Sequence, residues 1–501
     1  MKKRVRRSAK DKSRGLKPQS SYGPRAARLK PPLRRRPFAG GPGKSCPDTE
    51  LTTNGDDPAT VKLVQIEKPV YGGAFLARVE GKAVFVPLTL PGERVRVCTV
   101  EEKRGYAISE VEEIVAPAAE RVAPRCKHFG ACGGCQYQHA EYAAQLKFKQ
   151  AILRETLERG GVRAPDEMAV LAGEAWAYRN RIRLAFDAEG HAGYRGRRSH
   201  AVIRIAECPI AAPLLVRAAL AAAEIVRGLA LRSRPSEISL FCDAAETALL
   251  ASVMVADGGK RWAEGFDDSA RAFAERIPET KGVELVAEGG KGQAQRSVAR
   301  WGASSLVYTV RRRGAIVRGR ADEFDYRVDQ GAFFQVNRWL VDELAECVTG
   351  GLNGGLAHQG RLAWDLFAGV GLFARRLTER FDRVVAVESA PAAMAALKYN
   401  LRGRNATAVN AATRDFLRGV GKGERPDLIV VDPPRTGLGA ETTALFGEIA
   451  APAMVYVSCD PATLARDLRA LAGAGYSIQR ITLADLFPQT FHLETVVELW
   501  R

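Results

Sequence analysis

Three short motifs in the C-terminal third carry side chains able to do chemistry. Val457-Ser-Cys459-Asp-Pro461 sets a cysteine directly after an apolar run. Cysteine is ordinarily a small buried hydrophobe; at the end of a strand, ahead of Asp-Pro, it suits a nucleophile. Val431-Asp432-Pro-Pro-Arg435 follows another apolar run. Its prolines fix the backbone and aim Asp432 and Arg435 into the crevice at the carboxyl edge of a parallel sheet. An arginine there can stabilise negative charge developing on a planar ring; a rigid surface loop is the competing reading. Phe491-His-Leu-Glu494 opens the last apolar run, where Glu494 can serve as a base or can be an ordinary exposed glutamate at a strand start.

Other residue sets suit binding. Asp365-Leu-Phe367-Ala-Gly369-Val-Gly371 ends an apolar run, and glycines there let the backbone approach a ligand. Glu388 ends the next run 23 residues after Asp365, a position suited to ribose hydroxyls. With Ala374 the loop also reads G-x-G-x-x-A, so a dinucleotide site competes. In Gln330-Gly-Ala-Phe333-Phe334-Gln335-Val-Asn337, the paired phenylalanines can stack a base and Gln335 can hydrogen-bond to ligand or base, against the default of a buried aromatic pair. Cys126-x5-Cys132-x2-Cys135 lies in a glycine-rich loop, and Cys208-Pro209 offers a fourth thiolate. An iron–sulfur cluster and a zinc site, the latter completed by Cys208, His128 or His139, both fit this spacing.

These residues need elements to hold them. From about residue 360 the pattern alternates strand and helix: Leu362–Leu366 and 371–380, Val384–Glu388 and 391–401, then Leu428–Val431, Met454–Val457 and a final strand from Glu494. That is a parallel, doubly wound α/β domain. Five short alternating runs between Val61 and Val111 predict a small β-barrel. Residues 141–159 look helical, and 178–330 mix strands with Ala-rich helices such as 211–230.

A chain of 501 residues implies two to four domains. The net charge is +18, yet residues 1–44 hold 16 Lys or Arg and one acid, which leaves +3 for the remaining 457. This end is predicted to be a disordered basic tail, either attracted to phosphate or a solvated leader. Nine cysteines without an export signal point to a reducing, cytoplasmic setting. No run is long and apolar enough for a membrane span.

Taken together, over residues 59–501 the motifs and their order resemble the RNA uracil carbon-5 methyltransferase family, most closely its 23S ribosomal RNA branch. The resemblance implies a multidomain α/β chain: a class I (Rossmann-like) methyltransferase domain at 331–501, an OB-like TRAM β-barrel at 59–117 and a central α+β iron–sulfur domain at 118–330, after the tail at 1–58. It implies a [4Fe–4S] cluster on Cys126, Cys132, Cys135 and Cys208. S-adenosylmethionine is expected against Gln335, Phe367, Leu372, Glu388, Asp415 and Asp432, and the RNA base against Phe333 and Arg435. Cys459 becomes the nucleophile and Glu494 the base. Leu372 departs from relatives with a polar residue there, and Asp415 replaces an Asn. RNA is the expected partner, ribosomal before transfer, with no membrane or obligate protein partner. Two other readings stay open: a base-amine RNA methyltransferase with Cys459 structural, whose members usually carry an aromatic residue where this chain has Arg435, and an inactive RNA-binding assembly factor.

Overall fold

The computed structural model describes residues 61–229, 235–256, 260–289, 295–317, 320–350, 359–420 and 424–501. The basic segment falls outside these residues.

The five alternating runs close into a barrel in which Val61–Pro69, Ala74–Val79, Lys82–Pro87, Tyr106–Ala116 and Arg94–Glu102 are successive neighbours. Every second residue points inward, so Val64, Ile66, Phe75, Ala77, Val84, Val86, Val95 and Val97 form its core. The Gly72-Gly73 turn needs its glycines, with φ of +102° and +87°.

The central region is built on a seven-stranded sheet that runs from Arg296–Gly302 at one edge to Val202–Arg204 at the other. Helix Pro213–Gly228 buries its alanine-rich face, including Leu214, Leu215, Ala218, Ala219 and Ala222, in the same core as this sheet's Ile182, Leu184, Ile238 and Leu240. A separate hairpin, Ser305–Val317 with Arg320–Asp329, leads into the C-terminal sheet.

That sheet has eight strands. Five are parallel in the order Ala406–Asn410, Phe381–Glu388, Gly360–Leu366, Leu428–Val431 and Ala453–Ser458. Their near-continuous burial is typical of a sheet covered on both faces. The wholly parallel expectation fails at the C-terminus. Glu494–Trp500 inserts antiparallel between Ala453–Ser458 and Ser477–Ala484, because a hairpin-like return from the last strand needs no crossover helix. Ala169–Leu171 adds a short parallel strand at the far edge. Helix Tyr142–Arg159 packs nearby, sharing a core with helix Pro461–Gly473 through Leu153, Leu157, Leu464 and Leu468. Among the described residues no helix is long and apolar enough to cross a membrane.

Candidate active site

The antiparallel insertion decides the geometry of the site. In its ladder Thr495 pairs with Ser458 and Val496 with Val457. The same register carried one residue further sets Glu494 opposite Cys459, one at the start of its strand and the other just past the end of its own. Leu428–Val431 flanks Ala453–Ser458 on the other side, with Val431 opposite Tyr456, so Asp432 also emerges at this edge. Residues of three separate motifs therefore share one sheet rim.

Their charges act on each other. Burial pushes the Cys459 thiol up to about 11; Glu494 and Asp432 push the same way and Arg435 opposes them. Burial also holds Glu494 well above the usual carboxylate range, with Asp432 adding to it and Arg435 opposing. Asp432 rises to about 7 for the same reason. A carboxylate pair that cannot both ionise cheaply, beside an unionised thiol, suits a site that gains positive charge when its ligand binds.

Local structure holds each group in place. Asp460 caps helix Pro461–Gly473, accepting from the Ala462 and Thr463 N–H groups at 3.0 Å each. The Thr463 hydroxyl donates to the Arg435 carbonyl at 3.1 Å, which ties the Asp-Pro-Pro-Arg loop to this helix. The Arg435 guanidinium reaches His492 Nδ1 at 3.4 Å. Burial and the neighbouring Arg435 push His492 down to about 4, so its ring is neutral at physiological pH.

The glycine loop lies at the same carboxyl edge. Phe367 has φ of 62°, and Gly369 and Gly371 have +56° and +90°. A Cβ at Gly371 would lie 2.7 Å from Leu397 Cδ1, so packing as well as φ demands glycine there. Glu388 braces the loop by accepting from the Gly369 N–H at 2.9 Å. Asp365 is fully buried and accepts from the Ala374 N–H at 2.7 Å; burial lifts it to about 8. Leu372 is packed in the core, and its carbonyl accepts from the Tyr326 hydroxyl at 3.2 Å. Asp415 stands exposed in the first turn of helix Thr413–Gly419, just after strand Ala406–Asn410.

The paired phenylalanines separate. Phe334 is core, 4.5 Å between ring centroids from Tyr308, whereas Phe333 is 60% exposed. Gln335 is buried, and Asn337 donates to the Leu486 carbonyl at 3.2 Å.

The cysteine loop is anchored to the central sheet, at the strand beside its Val202–Arg204 edge, by the Gly133 N–H, which donates to the Arg195 carbonyl at 3.0 Å. Cys132 bridges to Gly196, and Cys208 Sγ lies 3.6 Å from the hydroxyl of Tyr194, two residues before Gly196. Burial pushes Cys132 to about 11 and Cys135 to about 12. Such a half-buried, all-sulfur donor set fits a centre whose positive charge would ionise the thiols. As arranged, however, no group of three or more His, Cys, Asp or Glu among the described residues is poised to hold a metal ion. The histidines considered for zinc are otherwise engaged: His128 Nε2 accepts from the Ala206 N–H at 3.2 Å, and His139 Nε2 lies 2.9 Å from the Thr89 carbonyl.

Sequence reasoning missed Tyr71 and His492. Tyr71 comes from the barrel, and its hydroxyl lies 3.4 Å from Asp460 Oδ2. Burial, then Asp460, raises its phenol to about 12, with Arg435 opposing and Cys459 adding. No local pattern marks a tyrosine before a glycine turn as part of a site nearly 400 residues away. His492 lies within a quoted motif, but only the fold gives it a partner. Tyr71 also lines a cleft of about 970 Å³ that continues past Gly133 and Arg195.

Comparison with known proteins shows the family. The family described as tRNA (uracil-5-)-methyltransferase matches residues 314–501. The 23S rRNA (uracil(1939)-C(5))-methyltransferase RlmD of Chromohalobacter salexigens is 35% identical over 89% of this chain and 90% of its own length. The protein of the same name from Azoarcus sp. is 34% identical over 86% of this chain and 98% of its own. The solved tRNA (uracil-54, C5)-methyltransferase of Pyrococcus abyssi, in complex with S-adenosyl-L-homocysteine, has the same fold. It superposes with a TM-score of 0.68 at 22% identity, over 87% of this chain and all of that one. The base-amine and inactive-factor readings fall with these matches: the chain belongs to the RNA uracil-C5 methyltransferase family and is a methyl-group transferase.

Proposed function

We propose that this enzyme methylates carbon 5 of a uridine in 23S ribosomal RNA, with S-adenosylmethionine as methyl donor, through a covalent adduct on Cys459. The observation that carries the reading is the register that sets Cys459 opposite Glu494 at the rim where Asp432 and Arg435 emerge. Uracil carbon 5 is a weak nucleophile. Addition of the Cys459 thiolate to carbon 6 makes an enolate that is nucleophilic at carbon 5, and Arg435 stabilises its charge. The sulfonium supplies the methyl group. Glu494 then takes the carbon 5 proton, the carbon 5–carbon 6 double bond re-forms and the thiolate leaves.

Gln335, Phe367, Leu372, Glu388, Asp415 and Asp432 are assigned to the methyl donor, Leu372 through its backbone only, since its side chain is core. Phe333, exposed beside buried Gln335, is assigned to the base, which must leave its stack to enter. Relatives named for 23S rRNA over nearly their full length favour ribosomal over transfer RNA. Residues 59–117 are assigned as a TRAM-like module, 118–330 as the cluster-bearing domain and 331–501 as the catalytic domain, in a cytoplasmic enzyme.

Cys126, Cys132, Cys135 and Cys208 are proposed to hold a [4Fe–4S] cluster, a reading supported by the Cys-x5-Cys-x2-Cys spacing and the distal Cys208-Pro209. Anaerobically purified protein should then contain about four iron per chain. Cys208→Ser should lose it and Cys242→Ser should not; stoichiometric zinc without iron would overturn the assignment. The adduct is tested with 5-fluorouridine RNA, which has no carbon 5 proton to lose. Wild type should give a denaturant-resistant protein–RNA band and Cys459→Ala none. A Cys459→Ala enzyme with substantial turnover would remove the covalent mechanism.

A further inference from the structure

The segment that delivers Glu494 to the rim is held by an unusual number of buried polar contacts. Helix Tyr142–Arg159 buries two polar side chains one turn apart, Gln145 and Lys149, both fully enclosed. Lys149 Nζ lies 2.6 Å from Asp485 Oδ1 and donates to the Phe487 carbonyl at 2.9 Å. Gln145 makes a reciprocal pair with Gln489: its Nε2 donates to Gln489 Oε1 at 3.0 Å and its Oε1 accepts from the Gln489 N–H at 2.9 Å. Gln489 has φ of 69°, a left-handed conformation costly for a residue with a side chain. The Gln489 carbonyl accepts from the Gln136 and Tyr137 N–H groups at 3.0 Å each. Gln136 directly follows Cys135; its Nε2 donates to the Gly133 carbonyl at 2.8 Å and its Oε1 accepts from the Phe491 N–H at 3.4 Å. The Tyr178 hydroxyl donates to the Pro488 carbonyl at 3.0 Å.

A loop needing only to connect two strands would not bury an ion pair and a strained glutamine. We infer that Gln145 is a positioning residue for Glu494: by locking Gln489 in its left-handed turn, it fixes the start of the final strand so that the carboxylate meets the carbon 5 proton. The inference rests on Glu494 being the base for elimination. Losing the lock should leave thiolate addition and methyl transfer largely intact and slow the last step, in which the carbon 5–hydrogen bond breaks towards Glu494 and the sulfur leaves carbon 6.

The test uses full-length enzyme, S-adenosylmethionine carrying a labelled methyl group, and an unmodified rRNA transcript labelled with tritium at uridine carbon 5, on which wild type turns over. Methyl incorporation reports transfer and tritium release reports elimination. Wild type should show the two in step. Gln145→Ala should show tritium release falling at least tenfold behind methyl incorporation during the first turnover, with a methylated protein–RNA adduct accumulating. Adding Gln489→Gly to Gln145→Ala, which lets the turn keep its left-handed φ without the side-chain lock, should bring the two signals back towards step. Glu494→Gln is the reference. If it splits them while Gln145→Ala keeps them in step, the positioning inference is overturned. If Glu494→Gln itself keeps them in step, the assignment of the base is what fails.

Discussion

At the scale of single residues, the site is built out of ionisation that burial opposes. Cys459 must be a thiolate to attack, yet burial and two carboxylates hold its thiol near 11. Free enzyme at neutral pH therefore carries little thiolate, and kcat/KM should rise about tenfold per pH unit from pH 7 towards 9. A flat profile would show that the thiol is already ionised. Asp432 makes the complementary prediction about stability. Its folded-state value of about 7 lies above the ordinary 3.8, so the folded state holds a proton that the unfolded chain releases between those values. Stability is therefore lost as pH rises from about 4 to about 7. Asp432→Asn should raise the melting temperature at pH 8 and have little effect at pH 4, while lowering activity; the comparison is a pair of thermal melts. An equal gain at both pH values would place the effect elsewhere than in this ionisation. The residues themselves were legible in sequence because Asp432 and Cys459 stand where an apolar run stops and Glu494 where one starts. Their electrostatic cost was not, since it depends on carboxylates from different strands meeting at one edge.

At the scale of elements, strand–helix alternation revealed the parallel strands and period-two alternation revealed the barrel, because both patterns are local. The antiparallel direction of Glu494–Trp500 follows from its short return from Ser477–Ala484, and nothing within the strand encodes it. Contact between the barrel turn and the catalytic segment was equally hidden. A Cβ on Gly73 would lie 2.6 Å from Gln136 Cγ, whereas one on Gly72 would meet nothing within 4 Å. Both glycines have positive φ, so alanine at either costs about 1–2 kcal/mol in backbone strain. At Gly73 overpacking adds about 1–3 kcal/mol, because the hydrogen bonds of Gln136 leave it little room to retreat. Gly73→Ala should therefore lower the urea midpoint clearly more than Gly72→Ala. Equal losses would mean that the barrel turn does not press on Gln136.

At the scale of the whole molecule, charge is divided unequally between residues 1–44 and the rest of the chain. Several arginines lining the cleft beside the barrel are already matched: Arg183 with Glu237, Arg197 with Glu110 and Arg198 with Glu101. Such pairs leave little net field to draw in a polyanion. Residues 1–44, by contrast, carry 16 basic side chains against one acid. Long-range attraction to RNA should therefore come mainly from the tail, and recognition of the target from the body. Binding that neutralises phosphates releases counterions, so each contact steepens the dependence of log affinity on log salt by about 0.7–0.9. Deleting residues 1–44 should weaken binding to an rRNA transcript at low salt and flatten that slope by several such increments. At saturating RNA, methyl transfer should be nearly unchanged, because Cys459, Glu494 and the glycine loop all lie in the body. Filter binding across a salt series, alongside single-turnover methylation, separates the two effects. An unchanged slope would make the tail a solvated leader and leave the partly neutralised cleft to account for RNA attraction by itself.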